Sequence, residues 1–482
     1  MSKIEPRLNL LDVIMLVSGS MIGSGIFIVS KDMMLALGSP FWVLMCWLLS
    51  GIITLFAALS YGELAAMMPE AGGQFVFLKR AFGDLTAFVY GWTVFLVIQT
   101  GVIAAVAVAF AKYLGVIFPS ISEENGLHIG TFFISVSQFV AIISIVFLTA
   151  IHTKGIKNGT LIQRIFTISK LLALFVLIIL AFTKLGSENY FSQNFTDLTS
   201  AVNYNEKTNV STPLNSLSIF VFLGTALIGA LFSSDAWNNV TFLSAEIKNP
   251  QRNLPLGLSI GVFIVTVLYI LANIAYFILL PAMGDASATT PEGLGIRFAD
   301  HGRVATAALN TFFGNTSIFI MAILIVISTF GCNNGLILAG SRLFQSMANN
   351  KLFFKQAAEL NKFNVPSKSL WIQCLWASLL CLTGSYGQLL AYATFSSLIF
   401  YIVTIIALFV LRKKEPDTPR PYKAWGYPII PMLYIIITSL ICLDLLIFDP
   451  KNSILGVVII LLGIPVYFLF SKKQNAASEF SK

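Results

Sequence analysis

Long apolar stretches alternate with short polar joints along almost the whole chain. Apolar windows near twenty residues recur from Asn9 to Phe470. A helix rises 1.5 Å per residue, so about twenty such residues cross the ~30 Å hydrocarbon layer of a bilayer. Twelve windows can be drawn, at 9–36, 41–67, 84–118, 131–151, 160–184, 214–245, 254–281, 314–347, 369–385, 387–411, 426–447 and 453–471. Windows longer than one crossing are read as tilted, kinked or extended beyond the lipid. The pattern predicts an all-α membrane protein with twelve transmembrane helices.

Two of these windows are broken at mid-span, roughly 210 residues apart. The first reads Leu16-Val-Ser-Gly-Ser-Met-Ile-Gly-Ser-Gly-Ile-Phe27, the second Leu231-Phe-Ser-Ser-Asp-Ala-Trp-Asn-Asn239. In lipid a helix hides its own backbone amides and carbonyls, so an interruption survives only where it lines a cavity. Breaks at corresponding places of two halves point to a substrate site near the bilayer midplane. Broken span 1 opens one set of five spans and broken span 6 opens another. Five is odd, so the second set runs inverted. This layout predicts a transport core over residues 1–411, with repeats at about 9–184 and 214–411. A Pro-rich basic connector at 412–425, two accessory helices over 426–471 and a tail at 472–482 follow.

Composition agrees. Hydrophobic residues make up 57% of the 482 and charged residues 11%, with a mean hydropathy of +0.84; soluble domains carry about 25% charged residues. With the N-terminus inside, the inner segments hold 22 of the 30 Lys and Arg and the outer segments 7, leaving Lys170 inside a span. That asymmetry predicts cytoplasmic termini. It also explains the net charge of +8 as topology rather than as a nucleic-acid surface. The N-terminus lacks a secretory signal, so the first span is retained. All five cysteines fall in predicted spans, without metal spacing, and no cofactor motif is present. The outer stretch from Lys184 to Pro213 reads as irregular. His128, His152 and His301 fall in predicted joints and are given no role.

Around Ser20–Gly25 small residues let the chain leave helical geometry, and Gly23 and Gly25 can take positive φ. The N–H groups of Ser24, Gly25 and Ile26 then open a half-helix, whose amides and dipole attract a carboxylate. The same glycines can instead serve close helix packing, since Gly19 and Gly23 stand four apart. In span 6 the first half-helix ends in carbonyls suited to an ammonium, and Phe232 is large enough to gate a ligand. Asp235 is a mid-membrane carboxylate, which costs about 2.5–3.5 kcal/mol to insert and marks a pathway. Three roles stay open for it: pairing with a substrate cation, taking up a proton, or capping the second half-helix. Lys170 either snorkels toward the inner interface, as Arg164 can, or sets its ammonium between spans 1, 5 and 8 in place of a sodium ion. Asp235 and Lys170 are read as the only buried charges, and no nucleophile–base pair stands near them, so an enzyme is not expected. At the inner end of span 6, Glu246 and Arg252 can pair across the turn at Pro250.

The segments Gly19–Phe27, Phe232–Asn238, Glu246–Pro255, Gln163–Leu174, Ser328–Gly335 with Ser341–Phe344, and Gly463–Phe468 together resemble the L-type amino acid transporter family of the amino acid–polyamine–organocation (APC) superfamily. The matches run in order over nearly the whole chain. The resemblance implies a LeuT-like fold and sodium-independent amino acid exchange. By that analogy Ser24 and Gly25, with Gly23 beside them, hold the substrate carboxylate. Carbonyls of Met21, Phe232 and Asp235, with Ser233, take the ammonium, and Phe232 is the gate. Lys170 resembles the family lysine that stands in for sodium, with Ser328 or Thr329 as its span 8 partner. Asn238 and Asn334 match pocket-lining positions. Animal members carry an outer-loop cysteine that links a glycoprotein subunit; Val116–Gly130 has none, so a bacterial-type member acting without that chain is expected. Ser233-Ser-Asp-Ala after Phe232 departs from the commoner aromatic-and-glycine pattern, which leaves substrate size and charge open.

The expectation is therefore an exchanger of neutral L-amino acids in the plasma (inner) membrane, binding no nucleic acid. Two rivals stand beside it: a proton-coupled symporter, possibly accepting cationic substrates, and a sensor without transport.

Overall fold

Asn9 starts the first helix by a reciprocal cap, in which its side chain accepts from the Asp12 N–H and the Asp12 carboxylate accepts from its own N–H, each at 3.0 Å. The structure is a computed structural model, and it describes residues 6–129, 132–185, 190–383 and 386–479. Helix α1 (Leu10–Met21) stops at Ile22, whose backbone is extended, and the chain resumes as α2 (Gly25–Ile28) and α3 (Ser30–Leu37). Helix α4 (Pro40–Met67) starts on proline, where the missing N–H leaves no bond unmade. After α5 (Gln74–Phe82) comes α6 (Asp84–Ile117), which contains a π-helical turn at Val94–Ile98. A hairpin of β1 (Gly126–Ile129) and β2 (Phe132–Ser135) leads into α7 (Val136–His152), followed by α8 (Ile156–Thr183). The outer stretch read as irregular instead forms a helical turn at Phe191–Asn194 and a second hairpin, β3 (Val202–Asn205) with β4 (Val210–Pro213).

The second half begins with α9 (Ser216–Ser233), which gives way to a 3-10 helix at Trp237–Glu246. Then follow α10 (Pro250–Leu279), α11 (Val304–Phe313), α12 (Thr316–Asn349), α13 (Ser367–Thr383), α14 (Tyr386–Lys414), α15 (Ile429–Phe448) and α16 (Pro450–Glu479). Among the described residues nine helical segments are long and apolar enough to cross a membrane. The three remaining predicted windows hold the 12-residue α1 and the 17-residue α7 and α13. Residues 384–385, where predicted spans 9 and 10 meet, and the last three residues of the predicted tail lie outside the described residues.

Helix α1 is enclosed by α8, α10 and α12. Gly257 and Gly261 of α10 permit this: a Cβ on either would stand within 2.9 Å of the Cβ of Val13 or Val17. Large apolar side chains remain uncovered on the outer faces of α8, α15 and α16, among them Leu172, Phe175, Leu440, Ile447, Leu461 and Phe468. Surface of that extent requires lipid rather than water around it.

Several charges are buried beyond the two read from the sequence. Asp12, on the first turn of α1, bonds Arg164 of α8 at 2.6 Å, so Arg164 clamps the helix instead of only reaching for the interface. Glu246 pairs with Arg342 of α12 at 2.5 Å, and both are at most 2% exposed. Arg252, the expected partner, is exposed; α10 starts at Pro250 and turns it outward. Glu63 of α4 accepts from Arg412 at 2.9 Å and from the Ala424 N–H at 2.6 Å, with Arg420 at 3.2 Å. It thereby pins the 412–425 connector, whose first residues still belong to α14. On the exposed side of the connector, the Arg80 guanidinium holds the Glu415 carboxyl below its ordinary range. His152 is also not in a joint: it ends α7, is buried, and its Nε2 lies 3.1 Å from the Asn334 carbonyl.

Candidate functional site: two broken helices

The end of α1 leaves its last carbonyls without helical partners. Each of them is met by a side chain from a neighbouring helix. Lys170 of α8, 1% exposed, donates from Nζ to the carbonyls of Gly19 at 2.5 Å and Ile22 at 2.6 Å. Ser328 of α12 donates to Ile22 O and Gly23 O, both at 3.1 Å. Cys332 Sγ lies 3.1 Å from Ser20 O, and the Tyr269 hydroxyl of α10 lies 3.2 Å from Met21 O. Five successive carbonyls, Gly19 to Gly23, are thus held by four side chains from three helices. Lys170 and Ser328 meet at one oxygen. Thr329, the alternative to Ser328, turns away and bonds Ile325 O of its own helix at 2.7 Å.

The second break is tied to the first. Tyr269 O–H sits between Met21 O and Ser233 O, 2.9 Å from the latter. At the end of α9 the Ser234 N–H bonds Ala230 O, and the Asp235 N–H bonds Phe232 O at 3.0 Å. The turn out of this cap is made by Ala236 at φ 65°, ψ 6°. Left-handed backbone costs a residue with a Cβ roughly 1–2 kcal/mol. Ala236→Gly should therefore raise the thermal unfolding midpoint by about 1–2 °C, offset in part by the freer unfolded chain; a fall of that size would show that the Ala236 methyl packs usefully.

The glycines of the first break act otherwise than predicted. Neither Gly23 nor Gly25 takes positive φ. Gly25 instead lets the two broken helices touch: a Cβ there would come within 2.9 Å of Ser233 Cβ and closer still to its hydroxyl. Around Gly23 there is more room, with Cys332 Sγ the nearest atom at 3.8 Å. Gly19 is a packing glycine against Gln163 and Thr167 of α8. Gly25→Val is expected to push α2 off α9 and weaken substrate affinity at least tenfold, overpacking of this kind costing about 1–3 kcal/mol. Affinity within twofold of wild type would remove Gly25 from the site.

The other predicted residues divide into two groups. Asp235, Asn238 and Tyr401 come together: the Tyr401 hydroxyl lies 2.5 Å from Asp235 Oδ1 and 3.2 Å from Asn238 Oδ1. They line a small cavity with Gln74, Gln99 and Phe400. Phe232 is not among the residues lining that cavity and packs, half-buried, against a neighbouring apolar cluster. Asn334 does not face the breaks: its amide donates to Gly159 O and Gln163 Oε1 of α8, both at 2.9 Å. Ser24 is buried at the head of α2, and Ser233 Oγ bonds Gly229 O at 2.7 Å. Sequence reasoning missed Tyr269, Cys332, Tyr401 and Gln74. The available signal was a hydroxyl or amide alone in an apolar window, as at Tyr269 and Tyr276, seven residues apart on α10. Among the described residues no cluster of metal-ligating side chains occurs.

Comparison with known proteins follows the same outline. A family model described as amino acid permease matches residues 8–470. The large neutral amino acids transporter small subunit 2 of Rattus norvegicus is 30% identical over 473 residues, covering 97% of this chain and 81% of the relative. The serine/threonine exchanger SteT of Bacillus subtilis is 29% identical over 474 residues, 98% of each. The b(0,+)-type amino acid transporter 1 of Mus musculus is 28% identical over 473 residues, 97% of this chain and 88% of the relative.

Proposed function

The chain belongs to the amino acid permease family, within the APC superfamily, and is a multi-pass membrane transporter of amino acids rather than an enzyme; from that premise we propose that it is a sodium-independent exchanger of neutral L-amino acids. The proposed architecture has twelve transmembrane helices in a LeuT-like fold. Five-helix repeats at about 9–184 and 214–411 are inverted, spans 1 and 6 are broken, and 426–471 is accessory. Both termini, the 412–425 connector and the 472–482 tail face the cytoplasm, and the transporter lies in the plasma membrane. It works without a disulfide-linked subunit, a reading supported by the lack of cysteine in Val116–Gly130.

The observation that carries the proposal is the Lys170 ammonium between Gly19 O and Ile22 O, with Ser328 on the same Ile22 oxygen. Carbonyls of a broken helix plus a span 8 hydroxyl are hard oxygen ligands of the kind alkali and alkaline-earth cations prefer. A lysine fixed there supplies a positive charge from the chain itself, so no sodium gradient is needed. The neighbouring α2 start and α9 end then offer amide and carbonyl groups for a zwitterion: Ser24 and Gly25 for the carboxylate, carbonyls of Met21, Phe232 and Asp235 for the ammonium. Asn238 stands by the side chain. Phe232 moves as the gate.

Relatives named for serine and threonine exchange and for large neutral amino acids support neutral substrates. The test is uptake of labelled alanine, serine and leucine into proteoliposomes loaded with the same amino acid. Replacing external sodium by choline should change the rate less than twofold. A rise of fivefold or more with sodium would contradict the fixed-cation reading.

A further inference from the structure

Asp235 lies in the wall between two small cavities. Gln74, Gln99 and Asn238 line one; Thr54, Ser234, Thr394 and Tyr434 line the other; Tyr401 borders both. Ser397 also borders both, and its buried hydroxyl has no protein partner. Asp235 itself has the Tyr401 hydroxyl and the Ala236 N–H as its hydrogen-bond partners. Among the described residues it forms no ion pair. The titratable groups that face it are Tyr61 of α4, Tyr90 of α6, Cys332 of α12, Tyr401 of α14 and Tyr434 of α15, none of them cationic. Lys170 aims its ammonium at the α1 carbonyls instead. A buried carboxylate without a counter-charge is far too costly to keep, so it must gain a positive charge.

The hydrogen bonds around it are directional, and they show where that charge belongs. Thr404 gives its hydrogen to Phe400 O at 2.7 Å and therefore accepts from Gln74 Nε2 at 2.8 Å. With its amide so oriented, Gln74 presents Oε1 to Asn238 Nδ2 at 3.0 Å. Asn238 in turn presents Oδ1 to Tyr401. Tyr401 has a single hydrogen, and two oxygens ask for it. If Asp235 is ionised, one of those buried acceptors goes without. If Asp235 is the neutral acid, its O–H donates to the Tyr401 oxygen, Tyr401 donates to Asn238, and every member is satisfied in one direction.

We propose that Asp235 is a proton carrier, loaded in the conformation described here, whose proton crosses the membrane with each neutral substrate. The proposal rests on the reading of the α1 and α9 breaks as the substrate site. In chemical terms one O–H bond forms on Asp235 from water on the loading side and breaks to water on the release side. Exchange of one neutral amino acid for another then carries one proton each way and stays electroneutral. Because as many protons enter as leave, a pH gradient alters the rate of exchange but drives no net accumulation.

The test uses the purified full chain in proteoliposomes holding internal amino acid, with labelled alanine, serine or leucine outside, whichever exchanges fastest. With equal pH on both faces, wild-type exchange should be at least fivefold faster at pH 5.5 than at pH 8.5. Asp235→Asn should flatten that profile to less than twofold, and Asp235→Glu should restore it. Profiles of wild type and D235N that coincide would overturn the proposal. If D235N does not fold, wild type still overturns the proposal by a rate that differs less than twofold between the two pH values. An inward proton gradient, with the membrane potential clamped, should leave the final accumulation within twofold of that without a gradient, and a severalfold rise would overturn the one-proton-each-way exchange. Failure of internal amino acid to stimulate wild-type uptake at any pH would instead count against the exchanger reading.

Discussion

Lys170→Met is expected to cut amino acid uptake at least tenfold while the amount of protein in the membrane stays within twofold. Methionine fits the length of the lysine stem, so the packing around α8 is largely kept. What disappears is one ammonium and its two bonds, at 2.5 and 2.6 Å. Hydrogen bonds to a charged group contribute about 1.5–3 kcal/mol each. Gly19 O loses its donor, and Ile22 O keeps only Ser328. The inner half of span 1 is then free to tilt against α8 and α12, and the α2 start moves with it. Ser328→Ala removes a shared, uncharged partner and should be milder, near threefold. Labelled uptake normalised to surface protein checks both. Uptake within twofold of wild type in K170M would mean that the lysine is an anchor without a part in transport.

Arg342→Met should be strongly destabilising. The pair with Glu246 is at most 2% exposed on either side, and removing one member strands the other. Breaking a buried pair costs about 3–5 kcal/mol, whereas replacing both members by uncharged groups is often neutral. The pair also joins three pieces at the inner end of span 6. The Glu246 carbonyl accepts from the N–H groups of Arg7 and Leu8 at 2.7 and 2.9 Å, and Arg342 reaches Gln345 and the Asn364 carbonyl. The single variant should lower the yield of folded protein and its unfolding midpoint in detergent. The double variant Arg342→Met with Glu246→Gln should recover at least half of that loss. If the double variant is as unstable as the single, the arginine matters for packing and not for its charge.

Much of the helical layout was legible because lipid imposes a simple rule of about twenty apolar residues per crossing. All twelve windows contain helix, and the two interruptions fall where Gly, Ser and Asp concentrate. Lys170 was legible for the same reason, as a charge too deep for its surroundings. The pairings were not. Nothing in the sequence says that Glu246 turns to Arg342, about a hundred residues away, rather than to Arg252, six residues on. The choice follows from α10 starting at Pro250 and carrying Arg252 outward. Glu63 was hidden by sitting near the end of an apolar window, where a carboxylate looks solvated; its partners come from the connector some 350 residues later. The glycines at the first break mislead in a different way. A glycine serves either left-handed backbone or close approach, and here Gly25 serves the second while Ala236 takes the left-handed turn. Tyr269, which bridges both breaks, carries no local signal beyond a hydroxyl in an apolar run.

Trans-stimulation tests the account most directly. Purified protein is placed in sodium-free proteoliposomes, and entry of labelled alanine, serine and leucine is followed with and without unlabelled amino acid inside at about 4 mM, millimolar being the upper end of usual carrier affinities. At equal pH on both faces, entry should be at least tenfold faster into loaded vesicles than into empty ones. Equal entry into loaded and empty vesicles would contradict exchange and leave a uniporter or symporter in its place.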